Sequence, residues 1–223
     1  MARRADLIRP EGDPIAAETA PSAALRRYYR LHAPLYDLTR WAFLFGRRRL
    51  CADIARRNPS HVLEIGCGTG HNLDQLARLL PQARLSGADL SADMLGQARK
   101  RLGPLGNRVR LWEGDFARMP AGEQHDVVMM SYVLTMTHPH TEALLAAAWQ
   151  RVAPGGVLAI VDFHDTPLKP FRQWMAVNHV RMHGELPGYV RDLGGDVQLK
   201  RYCAFGGLWR YVQVMVEKPA RRR

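Results

Sequence analysis

Three acidic residues and a glycine run stand at spacings that suit a ligand with a ribose, a flat base and a positive charge. Residues 62–70 read VLEIGCGTG: an apolar run leads into Gly66, Gly68 and Gly70, and a helix is expected from about His71. Glycines there let the turn bend tightly and let a ligand approach the backbone. The spacing is G-x-G-x-G, and His71 stands where the dinucleotide fingerprint requires a small residue. No Lys-Ser/Thr follows, so the loop is not a phosphate-cradling P-loop. Glu64, two residues before Gly66, is unfavourable beside a pyrophosphate and acceptable beside a cation. Asp89 ends the next apolar run, 23 residues after Gly66. An acid at the tip of a second strand accepts the hydroxyls of a ribose. Gly114-Asp115-Phe116 follows the third run; the acid can take an exocyclic amine and the ring can cover an adenine. Taken singly, Asp89 can be a helix cap and Asp115 a turn residue. Cys67 reads as a small buried loop filler, since no base is placed to make it a nucleophile.

These residues need a scaffold, and the chain supplies one. Short apolar runs at 61–65, 84–88, 109–113, 126–132 and 157–163 alternate with helical patterns at 71–80, 91–102 and 141–152. Strands alternating with helices predict a parallel sheet with helices on both faces. Pro154-Gly155-Gly156 reads as the turn into the fifth strand. Residues 197–204 and 209–217 read as two strands joined by Phe205-Gly206-Gly207, a hairpin signal. A parallel sheet closed by an antiparallel hairpin is the expected architecture.

The ordered set Glu64-x-Gly66-x-Gly68-x-Gly70, Asp89, Gly114-Asp115-Phe116 and Pro154-Gly155-Gly156 resembles the class I S-adenosylmethionine-dependent methyltransferases, over roughly residues 61–217. The resemblance implies a Rossmann-like α/β fold with a seven-stranded, mostly parallel sheet and S-adenosyl-L-methionine as cofactor. Glu64, Gly66, Gly68 and Gly70 would then flank its methionine part, Asp89 would bind the ribose, and Asp115 with Phe116 would hold the adenine. Cys67, Asn72, Leu90 and Met94 complete the expected cofactor-binding set. Ser131 and Tyr132, ending the fourth strand, would lie beside the sulfonium. No metal site is expected.

An activated sulfonium leaves the enzyme mainly to align donor and acceptor, an effect that reaches ~7–11 kcal/mol in favourable cases. A neutral amine attacks unaided, whereas a phenol or acidic carbon needs a base. The best base candidate is His164, in Asp162-Phe163-His164-Asp165 at the end of the fifth strand. His138 and His140 read as solvated loop or capping residues, and His179 as structural. Residues 168–183, LKPFRQWMAVNHVRMH, predict an inserted helix whose aromatics suit an apolar cap or a core contact.

Composition bounds the rest. The chain has 223 residues, 47% apolar and 24% charged, which suits one globular domain. Three scattered cysteines, Cys51, Cys67 and Cys203, build no disulfide framework and fit a reducing cytoplasm. Val127–Thr141, free of Asp, Glu, Lys and Arg, falls short of the ~18 apolar residues of a spanning helix. The net charge of +11 is concentrated at the ends: residues 1–57 carry 12 Lys/Arg against 6 Asp/Glu, and Arg221–Arg223 close the chain. A nearly neutral body argues against a nucleic-acid partner, and basic ends suit an anionic membrane surface or simply solubility.

Residues 1–21 are expected as a loose basic, Pro-containing arm and 22–57 as a helical lid broken near Pro34. Residues 58–218 are expected as the methyltransferase domain, with 164–190 an inserted cap, and 219–223 as a basic tail. In the lid, Tyr29 and Tyr36 can bring rings to a sulfonium, with Tyr36 also a catalytic candidate alongside Tyr132 and His164. Trp41, Phe43, Leu44 and Phe45 before Arg47–Arg49 suit an interfacial helix or ordinary core packing. The pattern of Tyr28-Tyr29-x-x-His32-Ala33-x-x-Tyr36-Asp37 with Ser131-Tyr132-x-Leu134-Thr135-Met136 is similar to small bacterial lipid-headgroup N-methyltransferases, of the diacylglyceryl homoserine or phosphatidylethanolamine type. Residues His179–Arg191 depart from that pattern. The expected activity is therefore N-methylation of a lipid headgroup amine by a cytoplasmic protein that rests on the inner membrane face. The alternatives are C- or O-methylation of a quinone or small aromatic molecule, and a non-catalytic cofactor binder.

Overall fold

In the computed structural model, residues 44–116 and 122–220 are described. The chain runs α1 (Arg47–Ala55), β1 (His61–Ile65), α2 (His71–Leu79), β2 (Arg84–Asp89), α3 (Ala92–Leu102), β3 (Val109–Glu113), β4 (His125–Ser131), α4 (Thr141–Arg151), β5 (Val152–Asp165), α5 (Lys169–Val177), α6 (Leu186–Arg191), β6 (Asp196–Ala204) and β7 (Trp209–Glu217). The seven strands form one sheet in the order β3-β2-β1-β4-β5-β7-β6. All neighbours are parallel up to β5, and β7 runs antiparallel to both β5 and β6. This is the Rossmann-like methyltransferase sheet expected from the motifs. Its strand order reverses between β1 and β4, and open α/β sheets bind ligands beyond the carboxyl ends of the strands at such a point.

Local sequence explains the elements. β4 and β5 are nearly continuous apolar runs because both of their faces are covered. Edge strand β6 alternates exposed and half-buried residues instead. α2 sets Leu73, Leu76 and Ala77 on one buried stripe. α3 opens with Ser91 Oγ accepting from Met94 N at 3.3 Å and ends in Arg99, Lys100 and Arg101, which complement the helix dipole. One core face joins Leu50, Ile54, Val62, Leu73, Val127 and Trp209; the other joins Leu63, Val128, Leu145, Ile160 and Val190.

Several boundaries differ from expectation. The fifth strand begins at Val152, so the Gly155-Gly156 pair lies within its span, with Gly155 N donating to Lys218 O across to the chain end. The helix expected over 168–183 is realised only as α5, and α6 starts beyond that span at Leu186. α5 ends at Val177, because His179 adopts φ 61° and Val180 N turns back to Met175 O. Of the helical segment expected over 22–57, α1 is the described part; the arm 1–21, the bend at Pro34, and Trp41 and Phe43 lie outside the described residues, as does the tail from 221.

Trp209 anchors the hairpin end. It is fully buried, stacks on Phe171 at 5.5 Å and meets Phe205 at 5.0 Å and Phe45 at 6.0 Å between ring centroids. Trp209→Ala is expected to cost about 3–5 kcal/mol, read as a lower midpoint in equilibrium urea unfolding.

Candidate active site

The loop after β1 turns back on itself at Gly66, Gly68 and Gly70, all at positive φ. A Cβ on Gly66 would stand 2.3 Å from Val133 Cγ2, so that position admits no side chain. A Cβ on Gly68 would meet nothing within 4 Å, so this is the open side of the loop, where a ligand can reach the backbone. The loop is held by Gly66 N and Cys67 N donating to Ala88 O at 2.8 and 3.1 Å. Asp89 completes it: one carboxylate oxygen accepts Gly68 N at 2.7 Å and the other accepts Ser91 N at 2.9 Å.

Glu64 is buried at the end of β1 and accepts from Asn72 Nδ2 at 2.6 Å. Ser131 is buried at the end of β4, and its Oγ has no hydrogen-bond partner among the described residues. A buried orphan hydroxyl, a buried acid and an open glycine turn at the carboxyl ends of adjacent strands fit a polar, partly cationic ligand. Leu90 is exposed beside Asp89, and Asp115 is half-buried after β3. Phe116 is buried in the second core with the Arg151 guanidinium 5.8 Å from its ring centroid, so its ring is largely committed to packing. Met94 is likewise a buried packing residue of α3. Burial pushes the Cys67 thiol far up, and Cys51 up to about 12, which keeps both inert. Among the described residues no group of His, Cys, Asp and Glu could hold a metal ion. Tyr29 and Tyr36 lie outside the described residues.

Two expected catalytic groups sit elsewhere than the sequence pointed. Tyr132 takes φ 58°, packs edge-on to Phe163 at 4.6 Å and donates its hydroxyl to Phe45 O at 2.6 Å. Burial pushes that phenol well above its usual range. Its geometry is that of a residue positioning the segment before α1, with the hydroxyl already engaged. His164 alternates onto the face packed by α4 and α6, whereas Glu64 and Ser131 follow the opposite alternation on their strands. It lines a small cavity with Leu134, Thr135, His138, Arg181 and Tyr189. Its Nδ1 has no partner among the described residues, and burial lowers its pKa, so it is neutral near pH 7.

The residue that sequence reasoning passed over is Asp162. Fully buried, it accepts Leu134 N at 2.8 Å, Thr135 N at 3.4 Å, Thr135 Oγ1 at 2.6 Å and Phe163 N at 2.8 Å. It thereby fixes the loop after β4 at the crevice rim. A bare Asp inside an apolar strand was the available signal, since a buried carboxylate must find donors.

Residues 62–156 match the family described as a methyltransferase domain. That match takes in the glycine turn, Asp89, Asp115 and Ser131. The chain is 28% identical over 156 residues to a demethylmenaquinone methyltransferase of Deinococcus radiodurans, covering 67% of this chain and 64% of that protein. It is 40% identical over 115 residues to a trans-aconitate 2-methyltransferase of Rhodopseudomonas palustris, covering 51% of this chain and 42% of that one. The chain thus spans less than two thirds of the length of these curated relatives. In structure it is similar to a 1,6-didemethyltoxoflavin-N1-methyltransferase of Burkholderia thailandensis with bound S-adenosylhomocysteine, at a TM-score of 0.67, 18% identity, and coverage of 96% of this chain and 93% of that one. The first two names differ from the lipid-headgroup type that the finer sequence pattern resembles.

Asp89→Ala is expected to weaken S-adenosylmethionine binding at least tenfold by calorimetry, because the loop loses its anchor together with the acid. For Asp162, burial raises the folded-state pKa from 3.8 to about 6 against the pull of its hydrogen bonds. The folded state then binds the proton more tightly than the unfolded one. Its contribution to stability is present below about pH 4 and lost as pH rises through about 6. Asp162→Asn removes this dependence. The stability difference, wild type minus variant, should fall between about pH 4 and 7 in urea titrations.

Proposed function

We propose that the chain transfers a methyl group from S-adenosylmethionine to a small acceptor with an apolar body, a quinone-like ring being the favoured class. The observation that carries this is the aromatic cluster at the carboxyl end of the sheet. β7 is antiparallel to β5, so Trp209 at its start lies beside the end of β5, where Asp165 pairs with Arg210. There Phe45, Phe171, Phe205 and Trp209 meet ring to ring, and Phe205 is 60% exposed. Such rings hold a flat apolar acceptor by stacking and burial, and exclude water from the transfer.

Bound S-adenosylmethionine supplies an already activated methyl group. The protein's share is orientation: the turn at Gly68, Asp89 and Glu64 would hold the donor, and the aromatic wall would hold the acceptor. The relative named as a demethylmenaquinone methyltransferase supports an apolar ring as acceptor. His164 is given no base role in this reading, because it alternates onto the far side of the sheet from Ser131 and Glu64.

A second reading, methylation of a lipid headgroup amine, is favoured by one feature. Leu168, Trp174 and Val177 are exposed on and beside α5, next to Lys169 and Arg172, a combination suited to an anionic lipid interface. No described helix is long and apolar enough to cross a membrane.

Incubation of the full chain with labelled S-adenosylmethionine and total bacterial lipid, followed by phase separation, distinguishes these. Label in a quinone fraction is the expected result, and label in a polar lipid would promote the second reading. Tight cofactor binding with no transfer to any fraction would leave a non-catalytic binder. On the active acceptor, His164→Ala should keep turnover within about threefold. A loss approaching the 10²–10⁴-fold typical of a removed general base would restore His164 to catalysis.

A further inference from the structure

The β3–β4 connection is short for a parallel crossover. Eleven residues separate Glu113 from His125, at the lower end of what such a connection requires, and its described part contains no α-helix. On the other side of β4, α4 covers the second face of the sheet. At the amino ends of β1, β2 and β3 that face carries polar side chains instead. His61 stands in register with Arg84, and Ser86 with Arg110, so the four share one face. These residues, with Arg108 and His125, line a cleft of about 280 Å³ at the opposite end of the sheet from the glycine loop.

The charges in this cleft are poorly matched by the protein itself. Arg84 and Arg110 make no ion pair or side-chain hydrogen bond among the described residues. Arg108 donates through one terminal nitrogen to Ala77 O and Leu80 O, while its buried Nε has no partner among the described residues. The carboxylate of Asp126 on β4 is occupied by Ser60 N and His61 N at 2.8 and 2.9 Å. Glu123 is the single acid of the lining, against three arginines. His125 lines the cleft at 2% exposure, and its Nδ1 has no hydrogen-bond partner among the described residues. A polar atom buried that deeply ordinarily costs about 1–3 kcal/mol unless something satisfies it.

From this geometry we infer that the cleft at the amino ends of β1, β2, β3 and β4 binds a small phosphate-bearing anion, separately from the methyl-transfer crevice. The guanidinium forks of Arg84 and Arg110 grip the phosphate oxygens, and guanidinium geometry matches such an anion with paired hydrogen bonds. His125 reaches the anion from below. The volume accommodates a free phosphate or a phosphorylated metabolite of sugar size. Extended polyanions fit the site poorly, because the charge outside the two ends of the chain is close to balanced.

The test is calorimetric titration of the full chain with inorganic phosphate and, separately, with ribose 5-phosphate, against chloride at matched ionic strength. Saturable binding of either is expected, weakened at least tenfold in Arg84→Ala/Arg110→Ala and in the single variant Arg110→Glu. S-adenosylmethionine affinity, measured in the same samples, should stay unchanged and so confirm an intact fold. Tighter binding of ribose 5-phosphate would identify a phosphorylated metabolite as the ligand, and equal binding the free ion. Either result supports the site. No saturable binding in the wild type, equal binding in the variants, or displacement by matched chloride would overturn it.

Discussion

The carboxylate of Asp89 holds two pieces of backbone at once, and the donor side of the crevice depends on it. One oxygen fixes Gly68 N, the open point of the turn, and the other fixes Ser91 N at the entrance to α3. Without it two amides at the sheet tip would lack acceptors, and the turn would lose its link to the helix that backs it. The surrounding packing is built to suit. Gly87 has no room for a side chain because a Cβ would stand 2.8 Å from Cys67 Sγ and from Leu73 Cδ1. Strand, turn and helix therefore lock against each other over a few residues, and the acid at the strand tip is what shapes the turn.

The loops at the ends of β4 and β5 use the same economy with different residues. Asp162 gathers four hydrogen bonds from the loop after β4 and from its own strand. Tyr132 reaches across to the carbonyl of Phe45, which brings the approach to α1 against the aromatic end of β7. Both residues come from the ends of central strands, and both tie the neighbouring loops to the sheet. Pre-organisation of this kind suits a reaction whose barrier is lowered mainly by alignment.

Most of the sheet was legible from residue patterns, because buried parallel strands write themselves as apolar runs and the glycine turn has a spacing of its own. Glu64, Asp89 and Ser131 could be assigned to strand tips from sequence alone, since each stands at or next to the end of a run. Other roles were hidden for definite reasons. The commitment of Tyr132's hydroxyl depends on a partner 87 residues away, a distance that no local pattern encodes. The placement of His164 depends on the phase of β5, which begins five residues before the apolar run at 157 and carries a glycine pair inside it. One residue of phase sends a side chain to the other face. The early end of α5 rests on His179 entering a left-handed conformation, which its residue type permits without demanding.

The sheet is covered unevenly, and that has a consequence in time as well as in space. Parallel sheets are usually sheltered on both faces. Here α4 and α6 shelter the β4–β5 side, while β3 is an edge strand in which every residue is at least partly accessible. Local opening follows such differences in shelter. Backbone amides along β2 and β3 should therefore exchange with solvent through small fluctuations, while those of β4 and β5 wait for global unfolding. Asp89 sits on the boundary between these regimes, at the end of β2 with its oxygens reaching back toward the protected centre. A ligand on the glycine turn would slow the breathing of the outer strands and extend the rigid part of the molecule outward from its core.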